Sequence, residues 1–579
     1  MNMDSFQTVS LQTEFCVVGG GIAGVCAAVA AARRGVKTVV IQDRPMLGGN
    51  ASSEIRMWIS GAQIRNPEMK ESGLVEEIQL ENLRWNPLLS YNIWDHVLID
   101  FVKRESNITL LLNCTCDGLE MDGNRIRSVT AWQLTTQKKY TVEADYFADC
   151  SGDSVLRISG AEFRVGREAR SEFNESHAPE VADRKTMGSS ILIQTKYTDN
   201  HKPFTTPPWA HVFKEKGFHR SLDPYDNFWW IETGGEQDTI ADAEEIRDDL
   251  LKIVYGVWDL VKNGSKGIGK NFDIEWIGIL PGKRESIRYV GDVILNQNDV
   301  ERQGRFEDVV GYGGWSMDDH NPAAFYYEGA PTIFHPAPSP YGIPFRCLYS
   351  KNIENLYFAG RNISATHMAM SSTRVMGTCA VLGQAVGTAV AIGVRDGLKP
   401  REIYEKRISE LQANLMDDDA FLPFRKREIP EISRNAKLSA DSEDDVEILR
   451  SGLERQLNGE SNCFTCDFGT SIEYSFDTPV TVSSARIVFD SDLVNNLKQM
   501  RCHYPKNQPD AELPETLVKE FALEILPAES DEWEEVSYCE DNYKRLVKIP
   551  VNRKVSAVRL IPEASWGGNK ARIFAFDVC

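Results

Sequence analysis

The stretch EFCVVGGGIAGVCAAVAAARRGVKTVVIQD, residues 14–43, decides the fold. Residues 14–18 form a short apolar run that predicts a strand. Residues 23–34 are Ala-rich and uninterrupted, which predicts a helix, and Gly35 supplies a residue fit to end it. Residues 36–41 read as a second strand. Strand, glycine turn, helix and strand make a βαβ unit, so the sheet is parallel. Gly19, Gly21 and Gly24 stand at G-x-G-x-x-G spacing in the turn. The first permits the tight turn, the second lets backbone amides approach a diphosphate, and the third lets helix and strand pack closely. The helix start, with Ile22 and Ala23, offers oriented N–H groups and partial positive charge to that phosphate. This pattern points to a dinucleotide. By spacing, the ribose-binding position falls on Gln42, with Asp43 and Arg44 next. Glutamine can bond a hydroxyl but brings no charge.

Outward from this unit, residues 92–105 predict an amphipathic helix with Ile93, Val97, Phe101 and Val102 on one side. Residues 108–113 predict a strand. Residues 115–147 predict a β-meander turning at Asp122-Gly123-Asn124, and residues 146–149 a further short strand ending at Ser151-Gly152-Asp153. From about 160 to 345, Trp, Tyr, Pro and His are dense and periodicity is weak, as in an inserted substrate domain with long loops. Residues 355–359 return to a strand. Residues 375–394 then run for twenty positions without a charge, the length of a membrane span. Gly377, Gly383, Gly387, Gly393 and Gln384 within it suit instead a buried helix packed on a sheet or cofactor. A charged helix at 400–416 leads outward. After about 430 the short runs 471–476, 484–489, 522–525, 545–549, 556–560 and 573–578 predict a β-sandwich. The expected organisation is a nucleotide-binding domain in two parts, 1–160 and 346–416. An insert at 161–345 separates them, and a linker at 417–437 precedes a sandwich at 438–579.

Composition bounds the function. The 579 residues are 42% apolar and 26% charged, enough for a real core. Lys+Arg total 64 against 85 Asp+Glu, a net charge of −21, which opposes non-specific binding to nucleic acid or anionic membranes. Twelve cysteines are an ordinary density. Cys114/Cys116 and Cys463/Cys466 lack a second pair at zinc-site spacing, so reduced thiols and no metal centre are expected. MNMDSFQTVSLQTEF, at the start, has neither a basic nor an apolar leader region, so a cytoplasmic location is expected.

Three further motifs follow in order: Leu47-Gly48-Gly49-Asn50, Ala148–Asp153 after the meander, and LYFAGR (356–361) before the uncharged helix. Together with the first turn, they resemble the FAD-dependent oxidoreductases built on the two-dinucleotide-binding flavoprotein fold, of the glutathione-reductase and fumarate-reductase kind. The resemblance spans roughly 12–165 and 275–415. It implies an α/β, Rossmann-like FAD-binding domain with an inserted α+β substrate domain, followed by the all-β sandwich. Gly19, Gly21 and Gly24 would hold the diphosphate, and Gln42 and Asp43 would face the adenosine ribose. Gly48, Gly49, Asn50, Ala51 and Ser52 would follow the ribityl chain and flavin. Cys116 lies where the family holds adenine by backbone groups, and Ser151 and Gly152 match its second glycine motif. Gly360 and Arg361 occupy the place of a closing Gly-Asp. Arginine departs from that pattern, so Arg361 or Asn362 would replace the aspartate's ribityl bond. Met376, Gly377 and Thr378 would point N–H groups at the flavin pyrimidine edge. FAD is expected to be non-covalent, because no histidine lies close to the first glycine motifs. The stretches GGNASSEIRMW (48–58), PGKRESIRYVGD (281–292), GGWSMDDH (313–320) and AGRNISATHMAMSSTRVMGTC (359–379) look like a bacterial branch that often accompanies carbohydrate-utilisation proteins.

If the substrate is an alcohol, a histidine suits the hydroxyl proton. His320, His335 and His367 lie in or beside the family-like motifs. His367, between Asn362 and Arg374, is the first candidate and His335 the second. Arg56, Arg284, Arg288 and Arg374 are the nearest cations, and Arg284 and Arg374 are taken as catalytic candidates that orient an anion or a diol. Trp229, Trp230 and Trp315 could stack on a sugar. TVSSARIVF (481–489), residues 555–560 and Trp566-Gly567-Gly568 resemble a galactose-binding-like jelly roll. The leading expectation is oxidation of a CH–OH group of a carbohydrate or related metabolite, with hydride passing to flavin N5. One alternative is chemistry at a C–C bond beside a carboxylate; another is a carbohydrate-binding protein with structural FAD. The expected partner is a small molecule, with a sugar the leading class; a homo-oligomer is left open.

Overall fold

A parallel sheet surrounds the glycine turn in the computed structural model, which describes residues 6–495, 498–501 and 510–579. β1 (Gln7–Val18) is followed by α1 (Ile22–Arg33), β2 (Thr38–Ile41), β3 (Ile108–Leu111), β4 (Cys114–Asp122), β5 (Arg125–Gln133) and β6 (Lys138–Asp149). β1 lies between β2 and β6, β3 pairs with β2, and Leu356–Phe358 pairs with the end of β6, all in parallel. Their register sets Leu111, Ile41, Val18, Asp149 and Phe358 in one row. That row is the carboxyl edge of the sheet, where open α/β sheets bind ligands. β4 and β5 continue antiparallel from the first half of β6. The meander and the strand expected at 146–149 are therefore joined, because β6 exchanges β5 for Leu356–Phe358 as its neighbour. β1 starts earlier than expected, since its exposed first half pairs with residues 138–144.

The uncharged run is the helix Met376–Asp396, buried over 89% of its apolar window. It lies on α1. A Cβ on Gly383 would stand 2.1 Å from Ala23 O, and one on Gly387 2.1 Å from Ala27 O. The insert contains a helix that the weak periodicity did not reveal, Ala243–Asn263. Its buried Ile246, Leu250, Val254, Val257 and Val261 pack with Ile191, Phe228 and Trp230. The pattern is helical over these residues alone, and the loop-rich flanks dilute it. Met317–His320 pairs antiparallel with Thr332–His335.

Two compact units result: residues 1–61, 89–411 and 499–510, and residues 62–88, 412–498 and 511–579. Residues 62–88, expected in the first part of the nucleotide-binding domain, thus belong with the C-terminal strands. Buried Glu76 explains this grouping, since it binds Lys70, Lys498 and Ser491 Oγ. The second unit is an antiparallel β-structure. Ile472–Phe489 and Leu546–Ser565 are long strands with register shifts where the sequence reading placed pairs of short ones. A bulge bends a strand without ending it.

Candidate active site

Gly19 has φ +104°, and a Cβ there would lie 2.4 Å from Ser151 N. A Cβ on Gly24 would lie 1.9 Å from Gly19 O, so the third glycine serves the contact between strand and helix. At Gly21 the nearest neighbour to such a Cβ is Cys150 O, 3.9 Å away, and the space in front of it is a cleft of about 680 Å³. Gly48, with φ +102°, donates its N–H to Gly20 O at 2.8 Å and brings the second glycine motif against the first.

Of the residues expected to bind cofactor, Gly19, Gly21, Ile22, Ala23, Gln42, Asp43, Arg44, Gly48, Gly49, Asn50, Cys116, Ser151, Gly152, Gly360, Arg361 and Met376 line this one cleft. Gly24, Ala51, Ser52, Asn362, Gly377 and Thr378 do not. Ala51 O accepts from Trp94 Nε1 at 2.8 Å, and Ser52 is buried beneath the turn. Asn362 Nδ2 donates to Asp149 O at 3.3 Å. Gly377 N–H donates to Ser60 O at 2.8 Å, so it is not free for a flavin edge, and Thr378 is buried. Gln42 is corrected in role. Its Oε1 accepts from Gly20 N–H at 2.7 Å and its Nε2 donates to Met46 O at 3.0 Å, so its amide braces two loops. Asp43 is the exposed carboxylate on that wall. Burial, with Asp149 nearby, pushes the Cys116 thiol up to about 12, which makes it inert.

Beside the first turn of α1 lies a charged clamp. Asp153 accepts from Lys283 Nζ and from Arg361 Nη2, each at 2.7 Å, one on each oxygen. All three residues line the cleft. A Cβ on Gly360 would lie 3.9 Å from Ala23 Cβ, and the Arg361 guanidinium lies over Gly152. Asn50 Nδ2 donates to Lys283 O at 3.1 Å, tying the second glycine loop to the clamp. Burial acts to raise the Asp153 pKa, but Arg361 and Lys283 outweigh it and hold the carboxyl at about 2. Two cations on one carboxylate leave one positive charge next to a helix N-terminus, an arrangement suited to a diphosphate. The sequence reading quoted Asp153 without giving it a role and placed Lys283 nowhere in the site; their signal was charge directly adjoining Gly152 and Gly282.

A second group of lining residues, the polar end of the cleft, includes Trp229 and Trp315. Arg284 donates to Ser190 Oγ at 2.8 Å and Trp229 O at 3.2 Å, and its Nη1 stands 3.3 Å from Glu232 Oε2. The same Glu232 oxygen is 2.7 Å from His320 Nδ1. His320 Nε2 is 3.3 Å from Asp318 Oδ2, which accepts from Arg374 Nη2 at 3.0 Å. Burial acts to raise the Asp318 pKa, but His320, Arg374 and the Thr332 hydroxyl hold it well below the usual carboxylate range. His320, Asp318, Arg284 and Arg374 line the cleft.

The two histidines ranked above His320 are not there. His367 is buried, with Nδ1 2.9 Å from Glu285 Oε2 and Nε2 3.1 Å from Asp319 Oδ1. Burial acts to lower its pKa, yet Glu285 and Asp319 together carry it up to about 10. His367 lies outside the cleft lining, so a substrate in the cleft does not meet it. His335 stacks on His177 with ring centroids 3.8 Å apart, and it too lies outside the cleft lining. Arg288 is buried against Glu168 at 3.0 Å, Arg56 stacks on Trp276, and Trp230 is core. Among the described residues no group of three His, Cys, Asp or Glu side chains could hold a metal ion.

The family model described as FAD dependent oxidoreductase matches residues 14–415. No curated protein sequence matches the chain. Among solved structures, a geranylgeranyl bacteriochlorophyll reductase-like protein from Thermoplasma acidophilum is 12% identical, over 71% of this chain and 88% of that one, with a TM-score of 0.33. A family 32 carbohydrate-binding module from Streptococcus pneumoniae EndoD is 16% identical, over 26% of this chain and 97% of the module, with a TM-score of 0.20. A chitosan-binding module from Paenibacillus sp. IK-5 is 11% identical, over 26% and 97%, with a TM-score of 0.19.

Proposed function

Because the chain belongs to the FAD-dependent oxidoreductase family, we propose that its cleft binds FAD non-covalently and oxidises a CH–OH group of a carbohydrate or related metabolite. The residues fit the cofactor: the opening at Gly21, the α1 N-terminus and the Lys283–Asp153–Arg361 clamp suit its diphosphate. Gly48, Gly49 and Asn50 would run along its middle, and the wall at Cys114–Cys116 would face its adenine. FAD supplies a two-electron hydride acceptor. Everything else falls to side chains at the polar end. Trp229 and Trp315 flank the substrate and exclude water, while Arg374 and Asp318 orient its hydroxyls. His320 Nε2 takes the hydroxyl proton, in place of His367 or His335. Glu232 orients the ring through Nδ1, and the substrate hydroxyl reaches Nε2 by displacing its longer 3.3 Å contact with Asp318.

The observation that carries this reading is the continuity of one cleft from the glycine turn to the Glu232–His320 pair. Its test is the anaerobic absorbance of holoprotein against a panel of sugars and polyols. Loss of the yellow band on mixing is expected. Reoxidation of reduced protein by unsaturated acids, with no bleaching by any polyol, would move the chemistry to a C–C bond.

A further inference from the structure

We propose that the substrate carries a carboxylate, seated on Arg374 with Arg284 behind it, so that the polyol oxidised is an acid such as an aldonate. The inference rests on the polar end being the substrate site. Two guanidiniums line that end, in a chain whose net charge is −21, so their convergence does not follow from composition. The carboxylates beside them are already engaged. Glu232 Oε2 is shared by His320 and Arg284, and its Oε1 accepts from Gly188 N–H at 2.9 Å. Asp318 Oδ2 is shared by His320 and Arg374, and its Oδ1 accepts from the Thr332 hydroxyl at 2.5 Å. Arg374 Nε is buried with no acceptor. An orphaned charged donor costs free energy, which a ligand oxygen recovers if the guanidinium turns Nε toward the cleft.

The position of Arg374 suits that ligand. It follows the helix His367–Thr373 and lines the cleft together with Val375 and Met376. A guanidinium fork matches two coplanar oxygens, and a lone hydroxyl offers it one acceptor. Arg284 lies in the same lining: burial drives its pKa down and Arg374 adds to the decrease, while Glu232 and Asp318 oppose it.

The experiment titrates the flavin-loaded protein with D-gluconate and malonate, and with their uncharged counterparts D-sorbitol and malonamide. Tryptophan fluorescence and flavin absorbance report binding. At least one anion is expected to saturate with a dissociation constant tenfold or more below that of its neutral counterpart. Arg374→Gln should remove most of that preference, and Arg374→Lys, which keeps charge without the fork, should restore part of it. If the Gln variant fails to fold, the wild-type comparison and the Lys variant decide. No saturable response to either anion, anions no tighter than neutrals, or an unchanged preference in both variants would overturn the proposal. Bleaching by neutral sugars without anion preference would overturn it and leave the CH–OH reading standing. Anion binding without bleaching by any polyol would do the reverse.

Discussion

Asp318 and Asp319 are neighbours in sequence and serve opposite faces of one strand. Asp318 and His320 share the cleft face; Asp319 bonds His367 on the other. Each histidine sits between two carboxylates, Glu232 and Asp318 or Glu285 and Asp319, but of the two only His320 lines the cleft. His320→Gln is expected to lower kcat by about 10²-fold or more, the ordinary worth of a general base, with flavin content unchanged, and steady-state kinetics on any polyol that bleaches the flavin checks it. His367→Gln should act on stability instead, by about 3–5 kcal/mol, since it removes the cation between two buried carboxylates. The folded pKa of about 10 lies above the ordinary 6.5, so this contribution is full below pH 6.5 and is lost as pH rises through about 10. Melting curves of wild type and variant should therefore stand furthest apart near pH 6 and converge toward pH 10. At the clamp, Lys283→Met removes one charge-assisted bond, and FAD affinity should fall about tenfold or more. Titration of apoprotein with FAD, and with riboflavin as a control lacking the diphosphate, reads the loss; an equal loss for riboflavin would count against the clamp.

The helix Met376–Asp396 and α1 meet at backbone distance because Gly383 and Gly387 face Ala23 and Ala27. Ala23 is in the first turn of α1, so this packing sets where the N-terminal amides of α1 stand. Gly383→Val would drive side-chain carbon into Ala23 O, an overpacking worth about 1–3 kcal/mol. The flavin-to-protein absorbance ratio after purification is expected to fall, and full flavin loading at wild-type stability would show that α1 tolerates displacement. Small residues spaced along an uncharged run were legible as a close-packed helix; its partner was not, because a sequence shows the width of a face and not what covers it. β6 teaches the same point. Its two halves have different neighbours, and the sequence reading took the change of neighbour for a break in the strand.

Across the whole molecule, the chain crosses between units more than once, and residues 62–88 group with the C-terminal strands. Burial acts to raise the Glu76 pKa, but Lys498 and Lys70 hold that carboxyl at about 2. A chain ended at residue 430 would lose Lys498 and Ser491 and leave this charge half-paired, at a cost of about 3–5 kcal/mol. Such a chain is expected to be insoluble or to melt well below the full protein; soluble, flavin-loaded material with an unchanged melting temperature would contradict the grouping. The sequence alone determined the parallel sheet, the glycine turn, the order of motifs and most of the residues that line the cleft around that turn. Those features rest on backbone conformation, helix and strand period, and the absence of side chains, all encoded within short windows. Tertiary structure decided which histidine meets the cleft, that Gln42 braces loops, that Lys283 and Arg361 share Asp153, and which segments form each unit. These depend on which face of an element turns inward, and that is settled by distant segments competing for the same buried charges and apolar surface.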